Sequence, residues 1–400
     1  MQLPRVKIQF LTGQLGTVGD SPDGLFALVC GAAAVGSTFA LNTAYEVTSM
    51  DSVQVLGLTE ENNEVLWKHL SEFYDEAGAG VKLVVMGVSP TTTMTALLDY
   101  TKTSAGSVRW LVEKENGALR GVGVANVNTL SSETSQEGID KDVLTAAAKA
   151  QQLGEWATTE LYAPMVALLE GRNYTEATEL HDLTKETWDR VGIVVSDTKA
   201  GTNGACMGTL LGRAASVSVQ RNIGRVKDGS LKPLEMYVGE KKTEEASESV
   251  RKLYEKGYIV ARKYVGRSGY YWADDNLACD PTGDYAKLAL RRVIDKAYRT
   301  AYDTLLDMLL DELEVNEDGT LDTGVVKSWQ QTVETAINRK MTANGELSSG
   351  SDGEGCVCKI DETQNVLATS MVKVTLKVRP YGYARYVDVN LGFQIERAHV

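Results

Sequence analysis

The clearest alternation of apolar and polar positions lies near the end of the chain, where Val387, Val389, Leu391, Phe393 and Ile395 are separated by Asp388, Asn390, Gly392 and Gln394. This period of two predicts a strand over 385–395 with one face to bury. The turn residues Pro380 and Gly382 set it apart from an earlier alternation at Val372, Val374, Leu376 and Val378. The first residues mirror it, since Val6, Ile8 and Phe10 alternate after Pro4 and before Gly13, Gly16 and Gly19. Both ends therefore read as strands in search of a sheet. Burying the five apolar side chains of the last strand contributes roughly 7–15 kcal/mol. Ordering its backbone costs about as much, at ~1–2 kcal/mol per residue. Such an arm gains little alone and becomes fixed when it completes a sheet, in the same molecule or in a neighbour.

Between the arms the period changes repeatedly. Strands are predicted over 25–35, 81–88, 119–127, 165–170 and 191–196, and helices over 62–75, 93–111, 140–162 and 176–189. Strands alternating with helices imply a parallel or mixed sheet with helices on its faces. A helix over 206–226 carries Gly208, Gly212, Ala214, Ala215 and Gly224, which predicts close helix packing. A charged surface helix over 241–255 and a strand over 258–264 follow. A long helix is expected after Asp280-Pro281 to about 314, then a helix over 325–341, a Ser/Gly/Asp loop over 348–355 and the closing strands. The expected fold is α/β, a mixed sheet flanked by helices, with a C-terminal α+β domain and extended strand arms. Its parts are an N-terminal arm 1–20, an α/β domain 21–275, a C-terminal domain 276–380 and a C-terminal arm 381–400.

Composition narrows the function. Four hundred residues with 43% hydrophobic and 24% charged side chains describe a folded chain of two or three domains. A net charge of −13 argues against general nucleic-acid binding, because phosphate backbones select basic surfaces. No run approaches the roughly 18 apolar residues of a membrane span, and no cationic, apolar leader opens the chain. These features lead to the expectation of a protein made in a cytoplasm. Five cysteines without CxxC pairs read as reduced thiols, with Cys356 and Cys358 expected in an exposed loop and too close together for a comfortable bridge. The three histidines offer little for acid–base or metal chemistry.

The candidate catalytic motifs are weak. Gly121-Val122-Gly123-Val124-Ala125-Asn126 is a fragment of a dinucleotide fingerprint placed inside a strand. The loop 197–204 follows a strand and opens a helix whose amides could hold an anion, yet it lacks Walker spacing. Ser216 and Ser218 sit in no nucleophile elbow. The calcium-like run from Glu314 would need a glutamate where Val325 stands. An enzyme acting on an anionic or phosphorylated small molecule at 198–204 is the first alternative, and another self-assembling virion component is the second. No cofactor or metal is expected.

Four features together make the chain similar to contractile tail sheath proteins of phage tails and related injection systems. They are the alternating N-terminal arm before a glycine-rich start, the stretch from Gly269 through Trp272 to Ala278, the stretch 285–299 containing Arg291, Arg292, Asp295 and Lys296, and the terminal strands joined through Arg379-Pro380-Tyr381-Gly382. The residues after Trp272 depart from the commoner sheath pattern and place the chain in a divergent sheath-like branch. The resemblance implies a structural, non-enzymatic subunit whose arms add strands to neighbouring subunits. The result is a helical mesh around an inner tube that contracts to drive the tube through a target envelope. It implies as partners further copies of the chain, the inner tube protein, and baseplate and tail-terminator proteins, without nucleic acid or membrane insertion. The setting it implies is a virion tail or injection particle assembled in a bacterial cytoplasm. Val6, Ile8, Phe10, Val387, Val389, Leu391, Phe393 and Ile395 are the expected inter-subunit contacts. Lys327, Arg339 and Lys340 offer positive charge for contact with the tube.

Overall fold

A computed structural model describes residues 22–129, 137–176 and 179–392. Its centre is β1 (Phe26–Gly31), whose residues are all buried because both faces are covered. Phe26, Leu28 and Cys30 enter one core, while Ala27 and Val29 enter the other. The remaining strands of the sheet are β2 (Ala44–Val47), β3 (Leu83–Val88), β4 (Gly121–Ala125), β5 (Val166–Glu170) and β6 (Val191–Val194). They are ordered β2-β3-β1-β4-β5-β6. Only β2 is antiparallel to its neighbour in this sheet, so the sheet is mixed.

Helices cover both faces. On one face lie α1 (Met50–Val55), α2 (Glu64–Ala77), which brings Leu66, Leu70 and Phe73 to the core, and α6 (Met207–Ser216), which brings Met207, Leu210 and Leu211. On the other lie α3 (Met94–Leu98), α4 (Val108–Lys114), α5 (Lys141–Glu160) and α7 (Ser247–Glu255). The small residues of α6 have a direct use. A Cβ on Gly208 would sit 2.0 Å from the carbonyl oxygen of His69, and one on Gly212 would sit 2.6 Å from that of Phe73. The backbones of α2 and α6 approach closely for this reason. Gly121 and Gly123, the fingerprint fragment, serve packing as well, since a Cβ on Gly123 would lie 2.7 Å from Leu211.

The C-terminal part adds α8 (Leu288–Leu306), α9 (Thr323–Ile337) and a hairpin of β7 (Cys356–Ile360) with β8 (Val374–Val378). Asp322 caps α9 by accepting from the Gly324 amide at 2.7 Å. A small core of Val293, Ala297, Ile337, Met341, Leu347 and Cys356 includes Val219 from the sheet domain.

Several expected elements differ. The helix over 93–111 is two helices, because Asp99 accepts from the Thr101 amide at 3.1 Å and Ser107 starts a new helix by capping Trp110 at 3.2 Å. The stretch 176–189 holds no long helix among its described residues; it contains a 3-10 turn, Leu183–Lys185, and a short strand, Thr187–Trp188, paired with Ala278–Cys279. The helix of small residues stops at Ser216 instead of 226. The charged helix begins only at Ser247, since Lys241–Lys242 pairs with Tyr237–Val238. Of 258–264, only Ala261–Arg262 forms strand, against Tyr271–Trp272. Asp280 spends its carboxylate on the Thr282 amide at 2.9 Å and hydroxyl at 2.7 Å, which makes a turn; α8 starts later and ends at Leu306. Cys356 and Cys358 are not in an exposed loop: they alternate inward on β7 and are buried.

Gly208→Ala is expected to force α2 and α6 apart and to lower stability by about 1–3 kcal/mol. Urea denaturation followed by tryptophan fluorescence measures this, and an unchanged midpoint contradicts the close-packing account.

Candidate functional site

The two internal stretches that carry the sheath resemblance meet at the junction between the sheet and the C-terminal part. Trp272 is fully buried and leads into Asp274 and Asp275, both buried. Asp274 accepts from Lys287 at 2.7 Å and from Arg385 at 2.9 Å. Asp275 accepts from the Ala289 amide at 2.8 Å, in the first turn of α8, and from Asn222 at 2.7 Å. Burial resists the Asp274 charge, but Lys287 and Arg385 outweigh it and hold this carboxyl well below the usual carboxylate range. Burial, reinforced by the Asp274 charge, pushes Asp275 well above that range.

Nearly two turns further along α8, Asp295 receives Arg190 at 3.1 Å and Arg291 at 2.7 Å, and Arg291 also reaches Asp189 at 3.3 Å. Lys296 bridges Asp23 at 2.7 Å and Glu346 at 2.5 Å, while Arg299 meets Asp23 at 3.3 Å. Burial resists the charge on Asp23, yet Lys296, Arg299 and Arg120 together lower its pKa. One face of α8 is thus fastened by ions to the start of β1, to the entrance of β6 and to the turn before β7.

The C-terminal arm leaves from this junction. Residues 381–386 run along a cleft of about 1250 Å³ whose walls include Gln220, Asn222 and Tyr254. The Tyr383 hydroxyl donates to the Gln220 carbonyl, and the Arg385 guanidinium, 5.4 Å from the Tyr383 ring, reaches Asp274. Beyond that anchor the chain leaves the surface: Tyr386, Val387, Val389 and Leu391 are 80%, 75%, 76% and 96% exposed. None of residues 385–392 is in a strand. Val6, Ile8, Phe10, Phe393 and Ile395 lie outside the described residues. The sequence pattern predicted a strand over 385–395 but gave no sign of the anchor at its start, because the Arg385–Asp274 pair spans 111 positions.

The three proposed tube contacts do not form one patch. Lys327 is exposed near the start of α9, while Arg339 and Lys340 are exposed in the π turn Asn338–Thr342, about 18 Å further along the helix axis. Lys340 is paired with Asp303 at 3.6 Å.

The loop 197–204 is filled by its own polar groups. Asp197 accepts from Lys68, from the Thr198 amide and from Thr202, and Thr198 donates to Glu72 at 2.5 Å. Glu170 accepts from the Ala205 amide at 3.0 Å and the Asn126 amide at 2.7 Å. An incoming anion would face three carboxylates, so the geometry does not favour the anion-binding alternative. Among the described residues no cluster of His, Cys, Asp or Glu has the arrangement of a metal site. No described helix is long and apolar enough to cross a membrane.

Asp274→Asn leaves Lys287 buried without its carboxylate and is expected to cost about 3 kcal/mol at neutral pH. The native carboxyl is depressed, so its contribution is complete above the ordinary carboxyl pKa of ~3.9 and disappears as pH falls below it. The stability gap between wild type and variant, measured by denaturant titration at several pH values, narrows only in acid; a gap that widens in acid contradicts the assignment.

The architecture is similar to that of several solved structures over nearly the whole chain. A chain of the anti-feeding prophage (AFP) baseplate matches with a TM-score of 0.63 and 13% identity, covering 99% of this chain and 100% of that one. A chain of the PVC sheath complex, an extracellular contractile injection system in its contracted state, matches at 0.58 and 13%, covering 99% of each. The sheath tail protein of Desulfitobacterium hafniense matches at 0.51 and 10%, covering 94% of this chain and 100% of its own. The mixed sheet with its additional C-terminal part is therefore a sheath fold. No curated protein matches the sequence. The family model described as DUF2586, N-terminal domain, matches residues 3–276, and that described as DUF2586, C-terminal domain, matches 284–398. The chain belongs to the DUF2586 family.

Proposed function

We propose that this protein is the structural subunit of a contractile tail sheath, one that polymerises helically around an inner tube and contracts to drive it through a target envelope. The observation that carries the reading is the match in fold to a chain of a contracted PVC sheath complex across 99% of both chains. The arm supports it: an apolar alternation is anchored at Arg385 and then held away from the subunit with Val387, Val389 and Leu391 in solvent. A segment with a period-two apolar face and no sheet of its own gains most by joining another sheet.

In this reading Val387, Val389, Leu391, Phe393 and Ile395 complete the sheet of a neighbouring subunit together with an N-terminal arm bearing Val6, Ile8 and Phe10. The domains divide at 20, 275 and 380. The C-terminal domain faces the tube and offers Lys327, Arg339 and Lys340 to it. Further partners are the baseplate and terminator proteins, and the setting is a phage tail or a contractile injection particle assembled in a bacterial cytoplasm. The role is structural, without catalysis.

Deletion of 385–400 is expected to leave a soluble, folded monomer that forms no tubes; tubes of normal width in electron micrographs of the truncated protein contradict the arm's role. Reversing Lys327, Arg339 and Lys340 to glutamate is expected to weaken co-sedimentation with the inner tube protein about ten-fold. Unchanged co-sedimentation removes the tube contact from these residues.

A further inference from the structure

The mouth of the arm-root cleft is an island of positive charge on a chain of net charge −13. Arg221, Arg225, Arg251, Arg262, Lys263 and Arg267 line it. Four of them have carboxylate partners: Arg225 and Arg221 share Asp228 at 2.6 and 3.6 Å, Lys263 meets Glu244 at 3.3 Å, and Arg251 meets Glu255 at 3.8 Å. Arg262 and Arg267 are exposed and have no carboxylate partner among the described residues. The Arg262 guanidinium carbon sits over the Tyr264 ring, 4.2 Å from its centre, which holds the group at the surface. At the tip of the same loop Val265 is completely exposed. The loop thus presents a small apolar knob flanked by unneutralised arginines.

The end of α8 and the residues after it have the opposite character. Asp303, Asp307, Asp311, Glu312 and Glu314 are all exposed. Beside them Leu306, Leu309 and Leu310 are 43%, 66% and 97% exposed. Lys340 pairs with Asp303, and the other four acids have no ion-pair partner among the described residues. No ion pair or hydrogen bond joins this stretch to the arginine loop within the chain among the described residues.

We propose that the Val265 loop docks onto the leucine-bearing acidic stretch 303–314 of a second copy of this chain, as a contact separate from the strand arms. Each patch supplies what the other lacks: Val265 finds leucines to bury against, and Arg262 and Arg267 find unpaired carboxylates. With the loop of each copy on one neighbour and its acidic stretch under the loop of another, the interface is head-to-tail and repeats from subunit to subunit. The choice of a second copy as partner rests on the proposed sheath role.

Engineered thiols test the contact cleanly, because all five native cysteines are buried. Full-length Val265→Cys/Leu310→Cys, mildly oxidised, is expected to give a ladder of covalent oligomers on a non-reducing gel. Adding Arg262→Glu/Arg267→Glu should reduce the ladder about ten-fold, and adding Asp307→Arg/Asp311→Arg as well should restore most of it. Absence of a ladder, or a ladder indifferent to the charge reversals, overturns the contact. Micrographs of the same samples separate this from the sheath role: tubes without a ladder remove the contact alone, and a ladder without tubes keeps the contact while removing the sheath role.

Discussion

The structure depends on the way α8 is held. Most of its inward-facing charges, and Lys287 just before it, find an opposite charge on another element: Asp295 on Arg190, Arg291 on Asp189, Lys296 on Asp23 and Glu346, Lys287 on Asp274, while Arg292 donates to the backbone carbonyls of Asp23 and Val217. Buried ions cost several kcal/mol each in lost hydration, so a set of them tolerates little displacement before some are left unpaired. An apolar interface of the same size would allow sliding. The ionic one fixes the angle and register of the C-terminal part against the sheet.

That constraint reaches the arm. Asp274 pairs with Lys287, immediately before α8, and with Arg385, at the root of the arm. One carboxylate therefore fixes both the start of the helix and the point where the chain leaves the surface. In the proposed sheath role, a subunit that holds its neighbours while their relative positions change needs arms that are loose along their length and firm where they begin. The exposed stretch from Tyr386 to Leu391 and the bonded stretch at Tyr383 and Arg385 have that distribution.

The glycines of α6 address a different requirement. Gly208 and Gly212 let two helices pack on one face of the sheet at backbone distance. β1, at the centre of the sheet, is buried on both sides. The carboxylates of Glu170, Asp197 and Glu72 spend themselves on amides, hydroxyls and Lys68 at the loop where an enzyme of similar architecture would hold a substrate.

The sequence by itself determined the central strands, whose apolar runs at β1, β3 and β5 are local and continuous, and the period-two pattern of the arm. It also marked Trp272 and 285–299 as a distinctive pair of stretches. Only the tertiary structure decided what they do, because Arg190 and Asp295 are 105 positions apart and nothing in either neighbourhood names the other. The helix expected over 93–111 is split in two, and the one expected after Pro281 starts only at Leu288, for a similar reason. Their periodicity was present, but Asp99, Ser107 and Asp280 turned the backbone with local side-chain hydrogen bonds that no hydrophobic pattern records. Periodicity reports which face of a segment is buried; the partner on the other side of the burial is set by packing across the whole chain.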